Sequence, residues 1–267
     1  MKPQALILQA HGTNRDYDVA EALTLAGADP HPVPLNDLRA GKKHFADYQM
    51  LVVAGGFSYA DSLGAGKLLA LDLNSYFNEE ISAFVESGKP VIGICNGFQA
   101  LVKSGILPGE SPSPAGRGAR GEGEATLTFN EQGHFECRWV TLKPISQNCI
   151  WTKDLETIIE CPVAHGEGNF QTKDQSLLST LQSLNQIALT YIHADGSPAN
   201  GDYPANPNGS ILDIAGICNP QGNVLGLMPH PENHIHPYQH PQWTRGVKGN
   251  SGLVLFENGV KYAKDFA

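Results

Sequence analysis

The chain has 267 residues, of which 41% are hydrophobic, and this is enough apolar surface to bury a sizeable core. Its formal net charge is −9 and it contains no basic run, so the sequence argues against a nucleic-acid-binding module and against attraction to an anionic membrane surface. The first apolar run, residues 5–8, is too short for a signal peptide or a membrane span. We therefore expect a soluble, cytoplasmic protein with no nucleic-acid or membrane partner.

The first half of the chain predicts alternating strands and helices. Strands are predicted at residues 5–8, near Val33, at 50–54 and at 90–94, and helices at 14–27 (with Asn14 as the N-cap), 63–73, 81–86 and 96–103. Continuous apolar strands of this kind are typical of a parallel sheet covered on both faces. The pattern predicts the α/β fold class, a doubly wound, mostly parallel sheet flanked by helices, with ligands at the carboxyl ends of the strands.

The second half predicts an extension of this sheet within one domain. Residues 108–124 hold three prolines and five glycines and are expected to form a long surface loop. Further strands are predicted at 126–129, 135–142, 157–161, 187–192, 212–217 and 224–227, and further helices at 175–184 and from 252 onward. The first three of these strands predict a small antiparallel extension. We expect a single domain over residues 1–267.

Five cysteines occur, and no two of them form a C-x-x-C pair, so a disulfide framework and a zinc site are both unsupported. Cys137, Cys149, Cys161 and Cys218 are expected to be small buried apolar residues. Cys95 differs, because it follows the apolar run at 90–94 and precedes a predicted helix, with Gly93 and Gly97 two residues away on either side. Glycines at these offsets relieve crowding at a strained strand-to-helix turn, as in the serine elbow of hydrolases. The helix N-terminus favours a thiolate, so Cys95 is predicted to be a nucleophile.

A second motif predicts the base for this nucleophile. His230 stands between two prolines at the end of an apolar strand, and Glu232 follows two residues later. The prolines restrict the backbone, and the carboxylate can orient the imidazole and stabilise its charged form. We expect a catalytic triad of Cys95, His230 and Glu232.

The pair Gly55-Gly56, followed by Phe57, ends the strand at 50–54 and lets backbone N–H groups approach a ligand closely. One N–H group of this loop and the N–H group of Asn96 are predicted to form an oxyanion hole.

Several motifs together resemble the class I (triad) glutamine amidotransferases. The resemblance to this class lies in G-x-C-x-G-x-Q at residues 93–99 and H-P-E at 230–232. Five longer motifs resemble one family within the class, the glutaminase subunits of phosphoribosylformylglycinamidine synthase. They are G-G-F-S-Y at 55–59, I-C-N-G-F-Q at 94–99, A-H-G-E-G at 164–168, Y-P-A-N-P-N-G-S at 203–210 and M-P-H-P-E at 228–232. It covers most of the chain and implies the flavodoxin-like fold of class I amidotransferases.

The resemblance also implies the chemistry. Cys95 would attack the side-chain amide of glutamine, and His230 would protonate the leaving ammonia. Gln99 would lie near the α-amino or α-carboxylate group. Ammonia would pass to a large synthetase subunit, with a small bridging subunit as a further possible partner. This chain would bind no cofactor and no metal. Since it has no P-loop, ATP and magnesium would belong to the synthetase, which converts formylglycinamide ribonucleotide to its amidine in purine synthesis.

Some residues depart from the family pattern or leave alternatives open. Ala60 stands where the family usually carries glycine, and Gly64 stands where an arginine is common. The histidines at 230, 234, 236 and 240 are interspersed with prolines and predict a polar loop more readily than a metal site. His165 and Glu167 could line the site, face a partner or be structural. The alternatives to the family function are a sister triad amidotransferase, a non-catalytic regulatory module, and a cysteine hydrolase without an ammonia-using partner.

Overall fold

The protein, seen in a computed structural model that describes residues 1–109 and 124–267, is built on a large mixed sheet. The described strands in chain order are β1 (Gln4–Gln9), β2 (Asp29–Pro34), β3 (Met50–Val53), β4 (Val91–Ile94), β5 (Ala125–Thr128), β6 (Glu136–Pro144), β7 (Ile159–His165), β8 (Asn169–Thr172), β9 (Ile187–Ile192), β10 (Ile214–Cys218) and β11 (Val224–Leu227). The helices are α1 (Asp16–Ala26), α2 (Leu35–Arg39), α3 (Lys67–Tyr76), α4 (Asn78–Glu86), α5 (Asn96–Lys103), α6 (Gln175–Ser183) and α7 (Leu253–Ala263).

The large sheet has nine strands in the order β2-β1-β3-β4-β11-β10-β9-β6-β7. The first five are parallel, and each of the remaining four runs antiparallel to its neighbour. Strands β5 and β8 form a separate antiparallel pair. The predicted α/β fold class, with its parallel sheet and antiparallel extension, is confirmed.

The burial of the strands explains this division. Strands β3 and β4 are buried at every residue, as expected of parallel strands covered on both faces. Strand β7 alternates between buried and partly exposed residues, as expected of an antiparallel strand with one face toward water. It is also the edge strand of the sheet. Pro162, which has no N–H group, is tolerated there because no further strand pairs with its outer side. The strand runs to His165, whereas residues 157–161 were predicted.

Other predictions need correction. Asn14 is not the N-cap of α1, which begins after Arg15 without a side-chain cap, and the Asn14 N–H group donates instead to the Gly55 carbonyl at 3.4 Å. Helix α3 begins at Lys67, not near residue 63, because Leu63, Gly64 and Gly66 have positive φ angles. Strand β8 was not predicted. Cys137 is exposed on β6, whereas Cys149, Cys161 and Cys218 are buried as expected.

The loop predicted at 108–124 lies outside the described residues except at its two ends. Among the helices in the described ranges, none has the length and apolar composition needed to cross a bilayer.

Candidate active site

Cys95 lies at the turn between β4 and α5 with φ 51° and ψ −106°. This is a conformation that residues other than glycine adopt rarely, and such strain is concentrated at functional sites. The turn is held from both sides, because the Cys95 N–H group donates to the Leu227 carbonyl at 2.8 Å and its carbonyl accepts from the Gln99 N–H group at 3.0 Å.

The two glycines around Cys95 are required by space. A Cβ atom at Gly97 would lie 1.8 Å from the carbonyl oxygen of Val53, and one at Gly93 would lie 2.5 Å from the side chain of Leu101. Helix α5 therefore packs directly on the neighbouring strands. The crowding expected from the sequence is present, and it involves long-range neighbours as well as the turn itself.

The sheet brings His230 to Cys95. Strand β11 is the parallel neighbour of β4, with Leu227 paired to Ile94, so both motifs emerge at the same carboxyl edge. His230 is buried, and its imidazole lies close enough to the Cys95 sulfur to interact with it. On its other side, Nδ1 donates to Oε1 of the fully buried Glu232 at 2.7 Å. The carboxylate thus fixes which ring nitrogen faces the sulfur.

The charge state of His230 follows from these neighbours. Burial alone lowers the pKa of the imidazole, but the charges of Glu232 and Cys95 and their hydrogen bonds outweigh it and raise the pKa of His230 to about 10. His230 is therefore an imidazolium at neutral pH. That state is the one that stabilises a thiolate and can give a proton to a leaving group.

The loop after β3 approaches the triad closely. A Cβ atom at Gly55 would lie 2.8 Å from Cε1 of His230, so this position needs glycine for the imidazole to fit. Gly56 has φ 136° and forms an isolated antiparallel bridge with Thr13.

The backbone groups of this loop divide into engaged and free ones. The bridge uses the Phe57 N–H group, which donates to the Gly12 carbonyl at 3.0 Å, and the Gly55 carbonyl, which accepts from Asn14. In this bridge the N–H group of Gly56 takes no part. Asn96 is the first residue of α5, where N–H groups lack helical partners. The Phe57 N–H group is therefore engaged, and the predicted oxyanion hole, with Gly56 and Asn96 as its donors, stays a prediction.

A cavity of about 160 Å³ opens at Cys95. Its lining is drawn from four parts of the chain: Gly56, Phe57, Asp61, Ala65, Cys95, Gln99, Phe129, Phe135, Ala164, His165, Gly166 and Glu167. The thiol of Cys95 lies 3.7 Å from the Ala164 carbonyl. Four of the predicted site residues thus line the cavity, while Gly55, Asn96, His230 and Glu232 lie outside its lining.

The side chains of Asn96 and Gln99 are engaged with protein groups. Nδ2 of Asn96 donates to Asp61 at 2.8 Å and to Oε1 of Gln99 at 3.1 Å, and its Oδ1 accepts from Ser58. Nε2 of Gln99 donates to the backbone carbonyl of Glu167 at 2.6 Å. Gln99 therefore joins α5 to the 165–168 loop through both ends of its amide.

His165 and Glu167 both line the cavity. His165 is buried, hydrogen-bonds Oδ1 of Asn130 at 3.1 Å, and has its pKa lowered to about 3 by burial and by the nearby charge of His230. It is therefore neutral. The Glu167 carboxylate accepts from the Ala65 N–H group at 3.3 Å. Asp61, Phe129 and Phe135 also line the cavity and were not predicted as site residues. The sequence signal for Asp61 was that it directly follows Ala60, where the family usually carries glycine.

The histidines that follow the triad contact protein groups. Nδ1 of His234 lies 2.5 Å from the Glu160 carbonyl, and Nε2 of His236 lies 2.6 Å from Glu21. Within the described ranges, no three His, Cys, Asp or Glu residues are grouped as a metal site would require.

Comparison with known proteins decides the family. Residues 2–263 match the model of the CobB/CobQ-like glutamine amidotransferase domain. The chain belongs to this family. The resemblance seen in its motifs is thereby confirmed.

Two curated relatives cover nearly the whole chain. The phosphoribosylformylglycinamidine synthase subunit PurQ of Treponema denticola is 60% identical over 98% of this chain and 99% of its own length. The subunit of the same name from Dehalococcoides mccartyi is 42% identical over 98% of both chains. Among solved structures, a chain of PurLQS from Thermotoga maritima superimposes with a TM-score of 0.74 at 30% identity, covering 98% of this chain and 99% of that one.

Proposed function

We propose that the chain is the glutaminase subunit of phosphoribosylformylglycinamidine synthase. The observation that carries the proposal is the strained Cys95 turn, in contact with the buried His230–Glu232 pair, in a chain that is 60% identical over almost its full length to a subunit of that enzyme. The reaction is hydrolysis of glutamine to glutamate and ammonia, with ammonia as the product that the complex uses.

The first half of the reaction forms a thioester. The Cys95 thiolate attacks the amide carbon of glutamine, and the carbonyl oxygen becomes an oxyanion that the N–H groups of Gly56 and Asn96 bind. His230 gives its proton to the amide nitrogen, the C–N bond breaks, and ammonia leaves. Glu232 holds the imidazole so that the same nitrogen faces the sulfur and the leaving group.

The second half releases glutamate. His230, now neutral, takes a proton from a water molecule, which attacks the thioester carbon, and the thiolate of Cys95 leaves with the imidazolium restored. Gln99 and Phe57 belong to the substrate cavity in this proposal, Phe57 as a wall and Gln99 as the residue that fixes the 165–168 loop.

The partners follow from the same proposal. Ammonia passes to the large synthetase subunit, which uses ATP and magnesium to convert formylglycinamide ribonucleotide to formylglycinamidine ribonucleotide, and a small bridging subunit completes the complex. This chain binds neither cofactor nor metal and works in the cytoplasm.

The test is Cys95→Ala in the assembled complex. We expect loss of glutamate release and of glutamine-driven amidine formation, because the nucleophile is gone, while amidine formation driven by added ammonium salt continues. Circular dichroism melting should show a folded variant. Cys137→Ala is the matched control, since Cys137 is an exposed thiol that does not line the cavity, and it should keep full activity.

Undiminished hydrolysis by Cys95→Ala would overturn the mechanism. Glutamine hydrolysis without amidine formation in the complex would favour a free hydrolase or a sister amidotransferase.

A further inference from the structure

A second cavity, of about 520 Å³, lies away from the Cys95 site. It opens between the loop at residues 43–46, which precedes β3, and the segment 77–89, which contains α4 and leads into β4. The cavity is therefore near the amino ends of β3 and β4, whereas Cys95 follows the carboxyl end of β4. The two cavities share no lining residue and lie at opposite ends of these parallel strands.

The walls of this second cavity are mainly aromatic. Phe45, Phe77 and Phe84 line it, and the rings of Phe45 and Phe77 pack with their centroids 5.5 Å apart. All three side chains are almost fully buried, so the surrounding core holds them in fixed positions. Leu38 of α2 and Ala83 of α4 add to the apolar surface. Sites for small organic molecules have walls of this kind, concave and mostly apolar, with a few polar groups among them.

Two lysines, Lys43 and Lys89, line the same cavity without an acidic partner. Among the described residues, the lysines within 4.0 Å of a carboxylate are Lys42 and Lys103, which lie outside this lining. Glu80 is the acid among the described residues of the lining, which therefore carries two ammonium groups and one carboxylate. A locally positive cavity in a chain whose net charge is −9 favours an anionic ligand over a cationic one.

The ammonium group of Lys89 is held in a defined position. Its Nζ donates to the Tyr48 carbonyl at 2.7 Å and lies 5.1 Å from the centroid of the Phe84 ring. These contacts fix the group without neutralising its charge. Burial lowers the pKa of Lys89, and the charge of Asp47, which lies outside the lining, opposes this effect. A bound anion would act in the same direction as Asp47 and would offset the cost of burying the ammonium group.

We infer that this cavity binds a small aromatic anion, with its rings against the three phenylalanines and its anionic group against the two lysines. The inference goes beyond the proposed function, because glutamine hydrolysis at Cys95 uses no group at this end of the strands. Aromatic rings pack favourably against one another, and a hydrogen bond between ionised groups is stronger than one between neutral groups. The aromatic walls and the unpaired ammonium groups together define this class of ligand.

The experiment titrates the full chain with a matched pair of fluorescent probes. 1-Anilinonaphthalene-8-sulfonate is an aromatic anion, and N-phenyl-1-naphthylamine has the same rings without the sulfonate. Ala83→Trp places a large side chain in the cavity from the exposed face of α4. We expect this variant to lose a saturable site that binds the anionic probe in the wild type. The wild type should bind the anionic probe at this site more tightly than the neutral one.

Lys89→Met tests the charge, because methionine keeps an unbranched apolar side chain and removes the ammonium group. We expect it to raise the Kd of the anionic probe by about 10- to 100-fold, the range expected for one hydrogen bond to a charged group. The Kd of the neutral probe should change little. Lys42→Met is the matched control, since Lys42 is a neighbouring exposed lysine that pairs with Asp37 and does not line the cavity. It should leave both values unchanged.

Several results would overturn the inference while leaving the glutaminase in place. Full binding of the anionic probe by Ala83→Trp would place the probe elsewhere, for example on Phe129 beside the Cys95 cavity. Equal weakening of both probes by Lys89→Met, or no weakening, would remove the anion contact. Loss of the site when the synthetase is added would assign the cavity to a contact between subunits. If circular dichroism shows that Lys89→Met is unfolded, the same comparison with Lys43→Met, at an exposed position, decides.

Discussion

At the scale of single residues, His230 is held in its charged form against the effect of burial. Its pKa of about 10 lies above the ordinary value of 6.5 because the buried Glu232 carboxylate and the Cys95 sulfur both favour the imidazolium. Such a group stabilises the folded protein fully below pH 6.5, and this contribution is lost as the pH rises toward 10. The charged imidazole therefore contributes to stability at neutral pH as well as to catalysis.

Glu232→Gln tests this account of His230. Without the carboxylate, burial lowers the imidazole pKa, so the alkaline limb of the kcat profile should move to lower pH. We expect kcat to fall by about 10²- to 10⁴-fold at neutral pH, as when the orienting carboxylate is removed from other triads. The loss of unfolding free energy between pH 6.5 and 9, measured in urea, should become smaller than in the wild type. An unchanged alkaline limb would contradict the assignment of the charge to the His230–Glu232 pair.

The site residues that could be predicted are those whose neighbours in the sequence indicate how crowded or how restricted the backbone is. Glycines two residues on either side of Cys95 indicate a crowded turn, and prolines on either side of His230 indicate a fixed backbone. The engagement of the Phe57 N–H group by Gly12 could not be predicted, because it depends on a loop 45 residues away that pairs only in the folded sheet.

At the scale of elements, the loop between β3 and α3 is the most strained described segment near the site. Tyr59, Ala60 and Asp61 have consecutive φ angles of 54°, 55° and 52°. This left-handed turn carries Asp61 into the cavity. Residues with a Cβ atom incur a steric penalty in this region that glycine does not.

Ala60→Gly should therefore stabilise the protein. We expect a gain of up to about 1 kcal/mol in the free energy of unfolding, because Gly at φ 55° removes the steric strain at this position. The measurement is urea unfolding followed by circular dichroism. Ala83→Gly is the matched control: Ala83 is exposed within α4, so the same substitution should destabilise by about 0.5–1 kcal/mol. Two losses of equal size would show that the left-handed turn is not strained.

Element bounds followed the sequence where apolar runs end sharply. The bounds of α5, β9 and β11 match the predicted ranges 96–103, 187–192 and 224–227, since glycine, proline or polar residues flank each run. The predicted bounds were wrong where the position of an element in the fold overrides the preference of its local sequence. Strand β7 continues through Pro162 because it lies at the sheet edge, and the Pro162 carbonyl there accepts from the His230 N–H group at 2.8 Å.

At the scale of the whole molecule, strand order assembles the triad. The sequence places Cys95 and His230 at strand carboxyl ends, but it does not reveal that β11 returns beside β4 after about 130 intervening residues. That pairing depends on long-range packing, which local patterns do not encode. The resemblance to a family led us to expect that Cys95 and His230 act together. The parallel pairing of β4 and β11 is the structural reason that they lie side by side. A single domain over residues 1–267 stays a prediction.

The surface around the active site is apolar and exposed. Phe57, Phe129 and Phe135 line the cavity, and their exposed fractions are 45%, 71% and 50%. Exposed aromatic residues grouped in this way are typical of protein-binding surfaces. From the exposed rings we expect a partner to cover the site and to complete its working shape.

We therefore predict that the isolated chain hydrolyses glutamine slowly and that the synthetase, with its nucleotide ligands, raises kcat/KM by at least about 10-fold. A tenfold rise requires only about 1.4 kcal/mol of differential stabilisation by the partner, which is within the range of ordinary allosteric coupling. Glutamate release is measured for the chain alone, with the synthetase, and with the synthetase and nucleotides. Phe129→Ser should weaken the activation, because Phe129 is the most exposed of the three rings. Full activity of the isolated chain would contradict the prediction, since it would show that the site is complete without a partner.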